Sequence, residues 1–358
     1  MTIQENVPLA PLTTLRVGGA ARYFSEVRGQ DDVREALEFA RSRGLPLFVL
    51  GGGSNLVVSD AGWPGLVLKI AIGGIVSPGE SGNSVLFSVG AGVHWDDFVA
   101  YAVSQNCAGV ECLSGIPGSV GATPVQNVGA YGQEVADTIE SVRALDIKPD
   151  MQGDRVITLP KPACGFRYRS SIFNRPTPDG QPGRYIILQV NYRLKRGGAA
   201  SVKYADLQKH FAGRTSPPSL LEVRDAVRTI RRGKGMLIVE GDQDARSAGS
   251  FFKNPVLSEE RLRELSARAE SEGLAIPSYP ALDAQHKVSA AWLVEHSGFG
   301  KGFALGRAAI SSKHALALIN PGDAQARDIV ELKDAIQQGV EIAWGIRLEP
   351  EPVFVGFG

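Results

Sequence analysis

Three polar side chains in separate segments have the types that acid–base and anion chemistry needs. Arg169 lies in the sequence YRSSIF, Ser250 in GSFFKNP and Glu351 in the short acidic sequence LEPE. An arginine can form two hydrogen bonds to a carboxylate, a hydroxyl can pass a proton, and a carboxyl group in an apolar place can stay protonated. Each also fits an ordinary structural role, as a solvated strand residue, a turn hydroxyl or a surface charge. Neither a GxSxG sequence nor an evident histidine partner marks Ser250 as a nucleophile.

Two glycine-rich segments have the composition of backbone that approaches a phosphate. The first, GGGSN at 51–55, follows an apolar run, and the second, at 115–132, begins with glycines at every third position. Glycine allows a positive φ and lets amide groups face an anion without an intervening Cβ. The first segment lacks the features of a P-loop and of a dinucleotide-binding turn, so it is a weak signal by itself. The density of small residues in the second segment favours cofactor binding over a tightly packed turn.

Composition limits the class of protein. The 358 residues are enough for two or three domains. Lys+Arg and Asp+Glu are equal at 38 each, so no basic excess indicates nucleic acid or an anionic membrane as a partner. No apolar run of about 18 residues predicts a membrane span, and the start does not read as a signal peptide. Three sparse cysteines favour a reducing compartment, hence the cytoplasm, and five scattered histidines predict no metal site.

Apolar periodicity predicts an α/β pattern in the first hundred residues and a strand-rich stretch at 141–194. Helices are predicted at 31–44, 95–105, 220–232, 258–272, 289–295 and 324–338. Strands are predicted at 45–50, 66–70, 84–89, 141–147, 154–159, 184–194 and 314–320. Proline and glycine predict a loop at 174–183. The apolar end at 352–358 is predicted to be a strand that returns to an earlier sheet.

Five segments occur together in an order that resembles the UDP-N-acetylenolpyruvoylglucosamine reductase family. They are LGGGSNLVVSD at 50–60, LSGIPGSVGATPVQNVGAYGQE at 113–134, CGFRYRSSIF at 164–173, AGSFFKNP at 248–255 and the terminal LEPE. The resemblance implies an α+β (α/β) protein. A FAD-binding fold of the vanillyl-alcohol-oxidase-like type would occupy two subdomains, 1–72 with 347–358 and 73–235, and a C-terminal α+β substrate domain would occupy 236–346. The sequence KYADL with Tyr204 is similar to the longer subclass, whose extra loop folds over the substrate.

The resemblance also implies a reaction. NADPH would reduce a non-covalently bound FAD, since the segment at 115–132 has neither histidine nor cysteine for a covalent link. Flavin N5 would deliver hydride to UDP-N-acetylglucosamine enolpyruvate, giving UDP-N-acetylmuramate for peptidoglycan. Arg169 would stabilise the enolate, Ser250 would donate the proton, and Glu351, when protonated, would donate to the substrate carboxylate. Roles in cell-wall biogenesis, cell shape, cell division and the cell cycle follow from that product.

The family motifs carry further ligand contacts onto this sequence. Those implied for FAD are Gly51, Gly52, Gly53, Ser54, Asn55, Ser114, Gly115, Pro117, Gly118, Ser119, Gly121, Ala122, Asn127, Gly129 and Tyr131. Those implied for the substrate are Tyr168, Tyr204, Lys234, Asn254, Tyr279 and Lys301. No role is assigned to His314. The expected partners are the enolpyruvyl sugar nucleotide and NADPH, with no nucleic acid and no membrane, and a monomer is expected.

Two other functions fit part of the sequence. An oxidase or dehydrogenase of the same flavin fold would often attach FAD through histidine or cysteine. A flavin- or sugar-nucleotide-binding regulator without turnover would keep both glycine segments but could dispense with Arg169, Ser250 and Glu351. All three residues are present, which favours an enzyme.

Overall fold

The computed structural model describes residues 1–147, 155–175, 183–281 and 283–357. Its α-helices are α1 Gln30–Ser42, α2 Trp95–Ser104, α3 Val135–Thr138, α4 Ala205–His210, α5 Leu220–Gly233, α6 Glu259–Ser271, α7 Ala290–Glu295 and α8 Ala326–Trp344. Its strands are β1 Gln4–Pro8, β2 Ala20–Val27, β3 Leu47–Leu50, β4 Leu56–Val58, β5 Trp63–Ile70, β6 Ile75–Ser81, β7 Ser84–Gly90, β8 Cys107–Ala108, β9 Gly129–Ala130, β10 Gln133–Glu134, β11 Ile139–Asp146, β12 Arg155–Pro160, β13 Tyr185–Arg196, β14 Val256–Leu257, β15 Ser278–Pro280, β16 His286–Val288, β17 Ala304–Leu305, β18 Ala308–Ile310, β19 Leu318–Ile319 and β20 Val353–Val355. The chain forms two compact units. Unit 1 contains Met1–Val7, Ala21–Gly53 and Trp63–Gly233, and unit 2 contains Pro8–Ala20, Ser54–Gly62 and Lys234–Gly358.

Unit 1 contains a four-stranded sheet in the order β1-β2-β5-β3. Strands β2, β5 and β3 run parallel, and α1 provides the crossover from β2 to β3. The helix buries Val33, Ala36, Leu37 and Ala40, whose spacing of three or four residues forms one apolar face. Because β3 and β5 are parallel neighbours, their carboxyl ends lie side by side, and the first glycine segment begins where β3 ends.

The second large sheet of unit 1 is antiparallel. Its order is β12-β11-β13-β7-β6, and β8 also pairs with β13. The long strand β13 lies between β11 and β7, and its Tyr192 is buried with Trp95 and Phe98 of α2. The ring N–H of Trp95 donates to the carbonyl of Leu113 at 2.9 Å. The core of this sheet therefore anchors the chain just before the second glycine segment.

Helix α5 ends unit 1. Its Val223 and Val227 are buried in a small cluster with Cys112 and Tyr131, close to the second glycine segment. Of the four arginines of the helix, three are spaced at intervals of four and three residues: Arg224, Arg228 and Arg231.

Unit 2 combines α6, α7 and α8 with small sheets. Strands β14-β16-β15 and β17-β18-β19 form antiparallel three-stranded sheets, and β20 runs parallel to β4. Phe251 and Phe252 are buried in the core beside α8. A capping box between Gln325 and Asp328 begins that helix, and Gly345 ends it with a φ of 64°. Within the described residues, none of the helices combines the length and apolar character needed to cross a bilayer.

Most predicted elements are confirmed, with small shifts at their ends. The return of the final strand is confirmed, because Val355 of β20 pairs with Val58 of β4. The strand predicted at 314–320 was too long: a turn closed by the Ser311 N–H and the Ala317 carbonyl at 2.8 Å leaves only β19. The helix predicted to end at 338 continues to Trp344. The loop predicted at 174–183 lies mostly outside the described residues, and the three-domain division stays a prediction. The elements that were not predicted are helices α3 and α4 and strands β1, β2, β4, β6, β8–β10 and β14–β18.

Candidate functional site

The two glycine segments are in direct contact in unit 1. A Cβ added to Gly52 would lie 2.3 Å from the Cα of Gly118, which is closer than a real contact permits. A Cβ added to Gly51 would lie 3.0 Å from the Oγ of Ser119. Gly53 has a φ of 67°, a conformation that favours glycine. The contact is therefore made backbone to backbone, and residue 52 has to be glycine.

Lys69 supports the first glycine segment from the adjacent strand. It lies on β5 opposite Leu50, and its Nζ donates to the carbonyl of Gly51. Burial lowers the pKa of Lys69, and the charge of Glu26 opposes that shift. The sequence analysis missed this residue. The available signal was a lysine inside an otherwise apolar parallel strand.

The peptide groups on both sides of Gly115 are held by side chains. The Gly115 N–H donates to Oδ1 of Asp96 at 2.6 Å, and the Gly115 carbonyl accepts from Nε of Arg231 at 3.1 Å. Arg224 and Arg228 both pair with the Asp96 carboxylate. Burial by itself would raise the pKa of Asp96, but the hydrogen bonds and charges of these partners outweigh burial and lower it. The sequence analysis missed all four side chains, although the arginine spacing on one helix was visible.

The second glycine segment has one buried hydroxyl available for a ligand. Among the residues that the structure describes, the Ser119 Oγ has no hydrogen-bond partner. Gly121 is packed so closely that an added Cβ would lie 2.6 Å from the Cβ of Ala91. Closely packed glycine backbone with an available hydroxyl is what a flavin dinucleotide needs around its pyrophosphate. The residues present fit FAD.

Three other predicted cofactor residues contribute to the shape of this segment. The hydroxyl of Ser114 donates to the carbonyl of Glu111 at 2.6 Å. The N–H of Ala122 donates to the carbonyl of Ser119 at 3.0 Å in a tight turn. Gly129 lies in the short hairpin of β9 and β10. Direct contact of these residues, and of Pro117, with FAD stays a prediction.

Arg169 lies at the tip of a tight turn in unit 1. Arg167 exchanges backbone hydrogen bonds of 2.8 and 3.1 Å with the residue three positions later, and the φ of Arg169 is 53°. The buried Asn127 donates through Nδ2 to the carbonyl of Arg167 at 3.2 Å. The hydroxyl of Ser171 donates to the carbonyl of Val125 at 2.6 Å. Hydrogen bonds therefore hold the turn that carries Arg169 against the second glycine segment, and Asn127 makes one of them.

Two of the predicted substrate tyrosines lie in unit 1. The guanidinium carbon of Arg169 is 5.4 Å from the ring centroid of Tyr168. Tyr204 is 44% exposed and packs edge-on against the buried Tyr131, with ring centroids 5.4 Å apart. The aromatic pair of Tyr204 and Tyr131 therefore joins the segment before α4 to the second glycine segment.

Tyr131 also interacts with Arg231. Burial lowers the pKa of Arg231, and the interaction with Tyr131 opposes that shift.

Backbone hydrogen bonding brings the segments of Ser250 and Glu351 together in unit 2. The N–H of Glu351 donates to the carbonyl of Phe251 at 2.8 Å. Asn55 donates through Nδ2 to the carbonyl of Glu351 at 3.2 Å, and the carbonyl of Ser54 accepts a threonine hydroxyl at 3.4 Å. The structure therefore brings two of the three predicted catalytic residues together within one unit. Arg169 belongs to unit 1.

His314 is a partner of Ser250. The Oγ of Ser250 is 3.2 Å from Nε2 of His314. The N–H of Phe251 donates to the carbonyl of Leu316 at 2.7 Å, so backbone pairing brings the two segments together. The sequence analysis found no evident histidine partner for Ser250, and the structure corrects that expectation. Because 64 positions separate the two residues, no local sequence pattern indicates their contact.

The remaining predicted substrate residues of unit 2 lie on separate elements. The Oδ1 atom of Asn254 accepts the N–H of Ala290 at 3.0 Å, at the start of α7. Tyr279 is on β15 and is 58% exposed. Lys301 is exposed in the turn before β17, and Lys234 is partly buried at the start of the last segment of unit 2. Their contacts with substrate stay predictions.

A cavity of about 140 Å³ lies in unit 1 beyond the carboxyl ends of β2 and β5. Gln30, Gly90, Arg143 and Gln189 line it, and Nη2 of Arg143 donates to Oε1 of Gln30 at 2.6 Å. Carboxyl ends of parallel strands are common ligand positions in α/β sheets.

The cysteines do not offer thiolate chemistry. Cys107, Cys112 and Cys164 are free and buried. Burial raises the pKa of Cys112 to about 12 and that of Cys164 to about 11. In the part of the chain that the structure describes, no group of histidine, cysteine or acidic residues could hold a metal ion.

Two protein-family models match separate parts of this chain. A family model described as FAD binding domain matches residues 21–150, which include both glycine segments. A second model, UDP-N-acetylenolpyruvoylglucosamine reductase, C-terminal domain, matches residues 242–355, which include Ser250, His314 and Glu351. The fold and these matches define an FAD-dependent oxidoreductase.

Whole-length relatives identify the family. A UDP-N-acetylenolpyruvoylglucosamine reductase from Thermobifida fusca is 42% identical over 357 residues, covering 98% of each chain. One from Streptomyces avermitilis is 44% identical over 364 residues, covering 99% of this chain and 96% of its own. The crystal structure of UDP-N-acetylenolpyruvylglucosamine reductase (MurB) from Thermus caldophilus aligns with a TM-score of 0.67 at 26% identity, covering 99% of this chain and all of its own. The chain belongs to the UDP-N-acetylenolpyruvoylglucosamine reductase family, and the predicted family, enzyme class and FAD cofactor are confirmed.

Proposed function

We propose that this enzyme uses NADPH to reduce UDP-N-acetylglucosamine enolpyruvate to UDP-N-acetylmuramate, a precursor of peptidoglycan. The observation that carries the proposal is the backbone hydrogen bond in unit 2 from the N–H of Glu351 to the carbonyl of Phe251, the residue that follows Ser250. This bond brings the segment that carries the Ser250 hydroxyl against the segment that carries the Glu351 carboxyl group. The names of the whole-length relatives support the same substrate.

Unit 1 would hold FAD by close backbone contacts and without a covalent bond. When bound, FAD supplies the hydride that reaches the vinyl carbon of the substrate. Gly52 and Gly118 leave room for backbone amides to approach the pyrophosphate, and Ser119 adds a hydroxyl. Asp96 and Arg231 hold the Gly115 peptide groups, so the segment is shaped before the cofactor binds. The protonated, buried cysteines support a non-covalent cofactor.

Ser250 would donate the proton that completes the reduction. Hydride addition at the vinyl carbon leaves negative charge on the neighbouring carbon, where it is delocalised into the carboxylate. The Oγ–H bond of Ser250 would break as its proton forms a C–H bond at that carbon. Loss of the hydroxyl should therefore slow this step and leave reduction by NADPH unchanged.

Arg169 and Glu351 would stabilise the developing enolate. A fixed guanidinium lowers the energy of negative charge most in a site without water, and the hydrogen-bonded turn fixes the backbone of Arg169. Glu351 would act in its protonated form and donate a hydrogen bond to the substrate carboxylate.

The nucleotide part of the substrate would be bound by cationic, amide and aromatic groups. Lys234 and Lys301 would supply local positive charge that the neutral chain lacks overall. Asn254 and Tyr279 would donate to the phosphates, Tyr204 would close over the substrate, and Tyr168 would also contact it. We further propose that the enzyme works as a monomer in the cytoplasm.

The experiment is an anaerobic titration of the purified protein followed by visible absorption. NADPH should bleach the flavin band, and UDP-N-acetylglucosamine enolpyruvate should restore it while UDP-N-acetylmuramate forms. Bleaching that only dioxygen reverses would support an oxidase of the same fold. A protein that neither contains nor takes up FAD would contradict the proposal.

A further inference from the structure

Ser250 by itself is a weak acid, but it has an imidazole as a neighbour. Its Oγ lies 3.2 Å from Nε2 of His314. An imidazole is a common general acid, because it can both donate and take up a proton near neutral pH. His314 is partly exposed, so that solvent can exchange its proton.

The turn that carries His314 is held in place. The hydroxyl of Ser311 accepts the N–H groups of Lys313 at 3.0 Å and of His314 at 3.3 Å. Asp244 accepts the N–H of Ser312 at 2.8 Å and its hydroxyl at 2.9 Å.

Two salt bridges fasten the same turn to the segment at 242–244. Nζ of Lys313 lies 2.7 Å from Oδ2 of Asp242 and 3.6 Å from Oδ2 of Asp244. The backbone next to Ser250 is also held in place, because Phe251 is fully buried and its N–H donates to the carbonyl of Leu316 at 2.7 Å. Both partners of the Ser250–His314 contact are therefore constrained by groups other than each other.

We propose that His314 positions the hydroxyl of Ser250 and returns a proton to it during turnover; this inference rests on the proposed function. As the Ser250 proton bonds to the substrate carbon, the Nε2–H bond of the imidazolium breaks and the Oγ–H bond re-forms. The neutral imidazole then takes a proton from water. NADPH remains the source of the electron pair, so the net reaction consumes one NADPH and one proton. The oxygen of Ser250 therefore does not remain as a free alkoxide after it gives up its proton.

The first test observes the hydrogen bond without turnover. Imidazole ¹⁵N NMR of the FAD-bound protein should show a resonance of His314 Nε2 that shifts in S250A. The same substitution should leave the resonances of His296, which is stacked on Trp292, unchanged. An unchanged His314 signal in S250A would overturn the positioning role.

The second test separates the two half-reactions by stopped flow, with H314Q, H314A and the matched control H296Q. Both His314 variants should reduce with NADPH within about twofold of the wild-type rate. Both should reoxidise with the enolpyruvyl sugar nucleotide about 100-fold more slowly, the lower end of general acid–base effects. Glutamine can keep the contact with Oγ but cannot carry a proton, so it should not rescue the rate.

The outcomes distinguish this inference from the proposed function. If H314Q reoxidises at the wild-type rate while S250A does not, the proton-relay role fails and the proposed function stands. If wild-type enzyme itself does not reoxidise with this substrate, the proposed function fails. Loss of rate in both His314 variants, with H296Q unaffected, supports the relay.

Discussion

The carboxylate of Asp96 accepts the N–H of Gly115 at 2.6 Å, and this bond joins the start of α2 to the first residue of the second glycine segment. Arg224 forms two hydrogen bonds to the same carboxylate, at 2.6 and 3.0 Å. Arg231, further along the same helix, holds the Gly115 carbonyl. One helix therefore fixes the groups on both sides of a glycine whose φ is 70°. Preorganised backbone of this kind lowers the ordering cost of binding a cofactor.

Substitution of Asp96 should weaken FAD binding and the fold together. Asp96→Asn keeps the shape but removes the charge that neutralises Arg224 and Arg228, so we expect a loss of about 2 kcal/mol in the free energy of unfolding. The dissociation constant of FAD should rise about tenfold. Flavin fluorescence titration and urea unfolding measure the two effects. Asp97→Asn is the matched control, because Asp97 is the exposed neighbour; equal effects of the two substitutions would contradict the prediction.

The stability contributed by Asp96 should depend on pH. Its pKa is lowered in the folded protein, so the contribution is fully present above the unfolded pKa of about 3.9. It is lost as the pH falls through the folded pKa. The difference in stability between wild type and Asp96→Asn should be constant from about pH 5 to 8 and shrink below about pH 4. Urea unfolding across this range tests the sign, and a difference that grows in acid would contradict it.

Gly52→Ala should disrupt the contact between the glycine segments. The new Cβ would lie 2.3 Å from the Cα of Gly118, and backbone cannot rotate away as a side chain can. We expect a loss of about 1–3 kcal/mol in stability from overpacking, and poor retention of FAD on a desalting column. Gly79→Ala is the control, since nothing lies within 4 Å of a Cβ there. That variant should stay within about 0.5 kcal/mol of wild type.

Local patterns predicted the elements, and long-range packing determined the parts of the site that were missed. The spacing of Val33, Ala36 and Leu37 was enough to predict α1, because amphipathicity is a property of neighbouring residues. The glycine segments were recognised, but their contact was not, since the sequence contains no measure of the distance between Gly52 and Gly118.

The supporting side chains were beyond sequence reasoning for the same reason. Asp96 and Arg224 are separated by 128 positions and meet only because α5 packs against the second glycine segment. His314 meets Ser250 through backbone pairing at Phe251. The family motifs pointed to Ser250 itself. They did not indicate which side chain would lie against its hydroxyl.

Tyr204 should affect substrate binding more than chemistry. Its ring packs edge-on against Tyr131, a contact worth about 0.5–1.5 kcal/mol, and nearly half of it is exposed. Tyr204→Ala should raise the KM for the enolpyruvyl sugar nucleotide about tenfold and change kcat less than about threefold. Tyr204→Phe keeps the ring contact and should give a smaller rise.

The control for this prediction is Tyr101→Ala, since Tyr101 is also partly exposed and packs edge-on against Phe87 in the same unit. It should leave KM unchanged. Steady-state kinetics with varied sugar nucleotide at saturating NADPH measures both constants. A fall in kcat at constant KM for Tyr204→Ala would place Tyr204 in the chemical step and contradict its role in binding.

Arg169 combines a strained backbone with the charge that the proposed enolate needs. A non-glycine residue at a φ of 53° costs about 1–2 kcal/mol, and such strain persists where surrounding structure imposes it, often at functional sites. Arg169→Gly should relieve the strain, so stability should not fall, yet reoxidation by the enolpyruvyl sugar nucleotide should slow at least 100-fold. Arg169→Lys keeps the charge but loses the planar fork, and we expect an intermediate rate.

Stopped-flow reoxidation and urea unfolding of the same preparations separate the two effects of these Arg169 substitutions. Arg167→Lys is the matched control, because Arg167 is exposed and lies in the same turn while its backbone makes the hydrogen bonds. It should leave both measurements unchanged. If Arg169→Gly lost stability and reoxidised at the wild-type rate, the arginine side chain would stabilise the turn and would not contribute to the reaction. That result would contradict the role of Arg169 in stabilising the enolate.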